Sequence, residues 1–250
     1  MHVTTTGAGP RVVLVHGGIF NGATTWEAQL PLADQYTLVI PDRPGYPPNA
    51  PIDREDFEKD APLIADLIEE GTHLVGFSYG GVISLLAAAL CSTKLRSLTI
   101  IEPPALGIAR GRDDVDGLIS RMETPWASGP KTSREFLIDF ERLLFGFGEK
   151  YPDPLPDDME QGVRILMGAR QPWDADLPLE DLRATPFPKL AISGGYSSAF
   201  EAVCDVLESR LAATRVVISG NGHGIPELGA TLNTRLREFF SGAERSQPVS

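Results

Sequence analysis

Three observations predict an α/β architecture: a doubly wound, mostly parallel sheet with one helical insertion. Six short β-branched runs end in glycine or a turn and are apolar on both faces, as in the interior of a parallel sheet. Helical patterns lie between them, so strand and helix alternate as in βαβ units. One connection of about 85 residues is far longer than a single crossover helix requires, which marks an insertion.

In chain order, His2–Thr5 reads as a short antiparallel edge strand and Arg11–His16 as the first interior strand. Tyr36–Pro41 follows, then a helix over Asp56–Glu70, the strand His73–Phe77 and the apolar helix Tyr79–Leu90. Leu98–Glu102 is the next strand. From Pro103 to Pro188 there is no strand signal, only helical pieces such as Val115–Met122, Ser133–Phe145 and Met159–Met167, separated by Pro and Gly. The alternation then resumes with Lys189–Ser193, a helix over Phe200–Leu211, the strand Arg215–Ser219 and a helix over Ala230–Phe240. Ser241–Ser250 reads as a frayed tail. The domain organisation that follows is a core of residues 1–102 and 187–250, with a helical cap, 103–186, over the carboxyl end of the sheet.

Composition limits the function. A chain of 250 residues with 42% apolar content can bury about three quarters of its unfolded surface, so neither disulfides nor a metal is needed for folding. Twenty-two basic against 34 acidic residues give a net charge of −12, which argues against nucleic acid and an anionic membrane surface as partners. The insertion contributes half of that charge, with 10 basic and 16 acidic residues over 104–186. There is no uninterrupted apolar run long enough to span a bilayer and no secretory signal pattern at the start, so a cytoplasmic location is expected. Cys91 and Cys204 stand apart in apolar contexts, as small buried hydrophobes do. No metal-ligand spacing is present.

The strongest chemical signal is Gly76-Phe77-Ser78-Tyr79-Gly80-Gly81, set between a strand and a helix. Such a turn strains the serine backbone and admits only small residues two positions to either side, while its hydroxyl projects at the positive end of the helix. A second signal, His16-Gly17-Gly18-Ile19, places a glycine loop at a strand's carboxyl end. Gly18 is expected to offer one N–H to an oxyanion and Tyr79 the other, with His16 bracing the loop. The base follows by elimination among four histidines. His2 is terminal and His73 opens its strand at the wrong end, which leaves His223 in Gly220-Asn221-Gly222-His223-Gly224, after the last strand.

The order of glycine loop, serine elbow and late histidine loop resembles the α/β-hydrolase superfamily from Arg11 to Phe240, and Asp42-Arg43-Pro44-Gly45-Tyr46 is similar to its structural D-x-x-G segment. The resemblance implies a Ser-His-acid triad, a cap between what the family counts as its sixth and seventh strands, and no cofactor. The sequence departs from the family at the acid, which usually follows the seventh strand. Tyr196 stands there instead, and a phenol cannot serve as the anion at neutral pH. Glu102 is the substitute expected, as in a minority of the superfamily that includes lactonases acting on macrocyclic esters. Glu201 and Asp205 are the alternatives, along with a Ser-His dyad.

The expected activity is therefore a serine hydrolase that cleaves an apolar carboxylic ester or lactone through an acyl-enzyme on Ser78. Its walls are expected to include Ile19, Phe20, Phe77, Trp126, Phe140 and Trp173. A monomer or homodimer is expected, acting on a small apolar substrate. The scaffold also supports C–C hydrolases, thioesterases and lyases, and a ligand-binding pseudo-hydrolase lacking the usual acid is the non-enzymatic rival.

Overall fold

A computed structural model describes residues 1–127, 131–145 and 150–246, with the backbone alone for 125–127 and 145. Among the described residues, seven strands form one sheet: β1 (His2–Thr6), β2 (Arg11–Val15), β3 (Thr37–Asp42), β4 (Thr72–Phe77), β5 (Leu95–Ile101), β6 (Lys189–Ser193) and β7 (Thr214–Val217). Their order across the sheet is β1-β3-β2-β4-β5-β6-β7, and only the β1–β3 pair is antiparallel. The chain leaves β2 toward β3 on one side and returns to β4 on the other. The crevice at the carboxyl ends of β2 and β4 is thus a topological switch point, the place where open α/β sheets bind ligands.

The helices are α1 (Gly22–Thr25), α2 (Phe57–Ala65), α3 (Tyr79–Leu90), α4 (Asp113–Ala127), α5 (Ser133–Phe145), α6 (Asp157–Met167), α7 (Leu179–Arg183), α8 (Ser198–Leu211) and α9 (Ala230–Ser246). Successive strand residues point to opposite faces. Val13, Val15 and Leu74 meet α2, α3 and α8 on one face, whereas Val12, Leu14 and Val75 meet Trp26 and the α9 residues Leu232, Leu236 and Phe240 on the other. The long connection between β5 and β6 carries α4 to α7, and its buried Val115, Leu118, Phe136 and Val163 share one apolar cluster with the first face. Acidic residues fill the first turns of α4 (Asp113, Asp114, Asp116) and α6 (Asp157, Asp158, Glu160), where the helix dipole favours them.

The boundaries differ from expectation in ways that packing explains. The helix expected over Asp56–Glu70 starts after its Asp56 cap but ends at Ala65. It tightens into three-residue turns, Leu67 N–H to Ile64 and Ile68 N–H to Ala65, which bring Ile68 into the core. The tail expected to fray from Ser241 instead continues α9 to Ser246, where Ala243 is buried and Glu244 reaches His73 of β4. β5 begins at Leu95, and Glu102 lies one residue beyond it. α7 and the 3-10 turn Pro172–Asp174 were not expected at all, being too short to show a period. Among the described residues, no helix is long and apolar enough to cross a membrane.

Candidate active site

Ser78 is the residue between β4 and α3, and its backbone is left-handed, with φ 52° and ψ −127°. Strain of this kind costs about 1–3 kcal/mol and persists only where the surroundings enforce it. They do so here: Ser78 N–H donates to the Ile101 carbonyl at 2.9 Å, and the Ser78 carbonyl accepts from Gly81 N–H at 2.8 Å. A Cβ on Gly76 would collide with Ser84, and one on Gly80 with the His16 carbonyl, so the elbow's glycines are steric requirements. Gly17 is a third, since a Cβ there would sit 2.8 Å from the Ser78 Cβ.

His223 reaches Ser78 from the loop after β7. Its Nε2 lies 2.9 Å from Ser78 Oγ, and its Nδ1 lies 3.1 Å from Glu102 Oε2. With a carboxylate at Nδ1, that nitrogen carries the proton and Nε2 is the acceptor for the serine hydroxyl. The ring is held between Phe77 and Phe200, at centroid distances of 5.0 and 5.4 Å. Gly222 makes the loop's turn at φ 52°, and its carbonyl approaches Gly194 so closely that a Cβ at 194 would overlap it.

Glu102 is fully buried and also left-handed, at φ 46°. Its N–H donates to the Ile192 carbonyl at 2.9 Å, and its Oε1 accepts from Gly194 N–H at 2.5 Å while Oε2 faces His223. A buried carboxylate without such partners would be expensive. Tyr196 packs its ring against Gly194 and Gly222, and its phenol interacts with Glu102; burial first and Glu102 second push that phenol far above its ordinary value. The tyrosine at the family's usual acid position thus stands beside the glutamate. Glu201 and Asp205 lie elsewhere. Both pair with Arg215, and Glu201 also accepts from Ser193 Oγ and Gly195 N–H at 3.0 Å each.

Above Ser78 opens a cavity walled mainly by apolar side chains. Of the expected wall residues, Ile19, Phe77, Phe140 and Trp173 line it. Phe20 does not: it is 37% exposed and outside the lining, because Ile19 adopts φ 70° and turns the chain outward. Trp126 belongs to α4, but its side chain lies outside what the structure describes. Leu106, Met122, Leu144, Leu166 and Gln171 also line the cavity and were not anticipated. They come from the long connection, where an apolar helix position facing a cavity has the same pattern as one facing the core.

Gly18 lines the cavity as well, and its N–H donates to no other group among the described residues. Tyr79 is the first residue of α3, so its N–H has no intrahelical acceptor. The arrangement therefore offers a hydroxyl, a base, a buried anion behind the base and two unengaged N–H groups at one cavity floor. The cysteines offer no rival nucleophile: burial raises their thiols to about 11 at Cys91 and about 12 at Cys204. Among the described residues, no cluster of His, Cys, Asp and Glu is arranged to hold a metal ion.

Residues 12–231 match the alpha/beta hydrolase family. A pimeloyl-[acyl-carrier protein] methyl ester esterase of Aeromonas salmonicida is 32% identical over 238 residues, covering 85% of this chain and 87% of that protein. A protein of the same description from Stenotrophomonas maltophilia is 36% identical over 188 residues, covering 66% and 69%. Among solved structures, an esterase from Exiguobacterium antarcticum superposes with a TM-score of 0.71 at 20% identity, covering 96% of this chain and 95% of that one.

Proposed function

The chain belongs to the alpha/beta hydrolase family, and within it we propose a serine hydrolase that cleaves a neutral, apolar carboxylic ester or lactone through an acyl-enzyme. The observation that carries this reading is the Ser78–His223–Glu102 relay, at 2.9 and 3.1 Å, on the floor of an apolar cavity. Ester hydrolysis is also the activity named for the curated relatives.

In this mechanism His223 Nε2 takes the Ser78 proton as Oγ attacks the substrate carbonyl. The developing oxyanion accepts from the N–H groups of Gly18 and Tyr79, which are aimed before the reaction begins. Glu102 keeps Nδ1 protonated and stabilises the imidazolium, which then gives its proton to the leaving alcohol. Water, activated by the same histidine, releases the acid. In a lactone, the leaving alcohol stays tethered to the acyl chain. The long connection between β5 and β6 serves as a cap that excludes water and supplies most of the apolar wall. Among the described residues, the cavity lining contains no Asp, Glu, Lys or Arg, which favours a neutral, apolar ester.

A fluorophosphonate probe tests the reading. Wild-type protein should label stoichiometrically on Ser78, a His223→Ala variant should label at background, and p-nitrophenyl acyl esters should show a burst of one product equivalent per site. Absence of both labelling and burst in folded wild-type protein would overturn it.

A further inference from the structure

We propose that Arg43 is a positioning residue that aims the oxyanion-binding peptide. The inference rests on the hydrolase reading above and extends it to a buried charge cluster beneath the glycine loop. Arg43 follows β3 and is fully buried, as are His16, Tyr46 and Glu55, with Asp60 nearly so. Its backbone N–H donates to His16 Nε2 at 2.9 Å, its Nε to the His16 carbonyl at 3.0 Å and its Nη2 to the Gly17 carbonyl at 2.6 Å. Nη1 pairs with Glu55 and, at 3.3 Å, with Asp60. His16, neutral because burial and Arg43 both depress its basicity, adds a second donor to the Gly17 carbonyl, Nδ1 at 2.8 Å.

Two donors therefore pin the Gly17 carbonyl from one side. A trans peptide is planar, and its C=O and N–H point in opposite directions. The N–H of that peptide belongs to Gly18, so holding the Gly17 oxygen toward the guanidinium turns the Gly18 N–H away from it, toward the cavity that Gly18 lines. A Gly-Gly pair has no intrinsic preference that would hold this orientation, because glycine visits positive and negative φ with similar ease. The restraint has to come from outside the loop. The guanidinium also lies 5.3 Å from the centroid of the Tyr79 ring, and Tyr79 supplies the second N–H.

The chemistry of the cluster favours this role over one in stability. A buried cation with two carboxylates is usually no more stable than apolar packing of the same volume. A guanidinium, however, presents five N–H donors in a rigid fork, which lets one group serve two successive carbonyls and two carboxylates together. A lysine ammonium at the same place keeps the charge but has one donor nitrogen and cannot reach all four.

The test is Arg43→Lys, with activity expressed per active site titrated by fluorophosphonate. We expect kcat to fall about 100-fold with KM changed less than threefold, the effect of misplacing one oxyanion donor. Affinity for a trifluoromethyl ketone, which forms a charged tetrahedral adduct on Ser78, should fall by the same factor as kcat/KM. A merely structural role would reduce the number of titratable sites and leave kcat per site unchanged, and that result overturns the proposal. Should Arg43→Lys fold poorly, the charge-compensated double variant Arg43→Gln, Glu55→Gln reads the same ratio. The two readings fail separately: unlabelled wild type defeats the hydrolase, whereas a labelled wild type with full turnover in the variants defeats only the role of Arg43.

Discussion

β4 has a serine, a histidine and a glutamate near each of its ends. At its carboxyl end stand Ser78, His223 and Glu102. At the other end His73 places Nδ1 2.7 Å from Ser97 Oγ and Nε2 3.4 Å from Glu244 Oε1. The residue types are the same, but the surroundings are not. Ser97 is fully buried within β5 on ordinary extended backbone, whereas Ser78 is held at φ 52° beneath an apolar cavity. Glu102 is fully buried with both oxygens engaged, whereas the Glu244 side chain is 37% exposed. Burial, with Arg96 nearby, lowers His73 to about 3, so it is a poor base at neutral pH. The set at the amino end satisfies buried polar groups. Backbone strain and access to a cavity, not the identity of three side chains, distinguish the proposed catalytic set from the structural one.

Removing the two serines should break the symmetry most sharply. Ser78→Ala is expected to lower kcat by at least about 10⁴-fold. Ser97→Ala should leave kcat within about twofold but cost about 1–3 kcal/mol in urea unfolding, since it strands a buried imidazole nitrogen. A tenfold loss of turnover in Ser97→Ala would contradict the distinction.

The carboxylates come next. Glu102→Gln keeps the shape but no longer selects the right tautomer of His223, and a loss of about 10³–10⁴-fold in kcat is expected. Glu244→Gln should leave ester turnover unchanged in the same assay.

The smallest effect is on pH-dependent stability. His73 folds with its basicity depressed to about 3 against an ordinary value of 6.5, so the unfolded chain takes up a proton that the folded one refuses. Its contribution is fully present above pH 6.5 and is lost as pH falls toward 3, by about 1.4 kcal/mol per pH unit. His16, also depressed, adds the same sign, whereas Glu55 and Asp60, both raised by burial, oppose it. Urea unfolding of His73→Gln between pH 4 and 7 should show a slope shallower by up to one proton, with kcat unaltered. An unchanged slope would show that His73 does not titrate on unfolding.

Much of this is readable in the sequence. The interior strands, the Ser78 elbow, the glycine loop and the His223 loop all follow from rules that act between near neighbours. A β-branched run favours extended chain, and a strained serine turn admits only glycine at Gly76 and Gly80. Glu102 could be nominated because it ends a strand beside the elbow. Its left-handed backbone, its bond to Gly194 and the place of Tyr196 beside it could not, since no local pattern encodes them. Arg43, Glu55 and Asp60 were equally hidden: a charged residue in a polar stretch has the same local pattern whether it is solvated or buried.

The division follows sequence separation. His223 lies 145 residues from Ser78 and 121 from Glu102 along the chain. Local sterics produced the elbow, the loops and the strand ends, and with them the kind of chemistry to expect. Which carboxylate meets the histidine, which side chains wall the cavity and which charges go underground depended on how the sheet and its long connection pack. Those contacts are set by the whole core at once, because interiors are close-packed and burial is a property of the assembled chain.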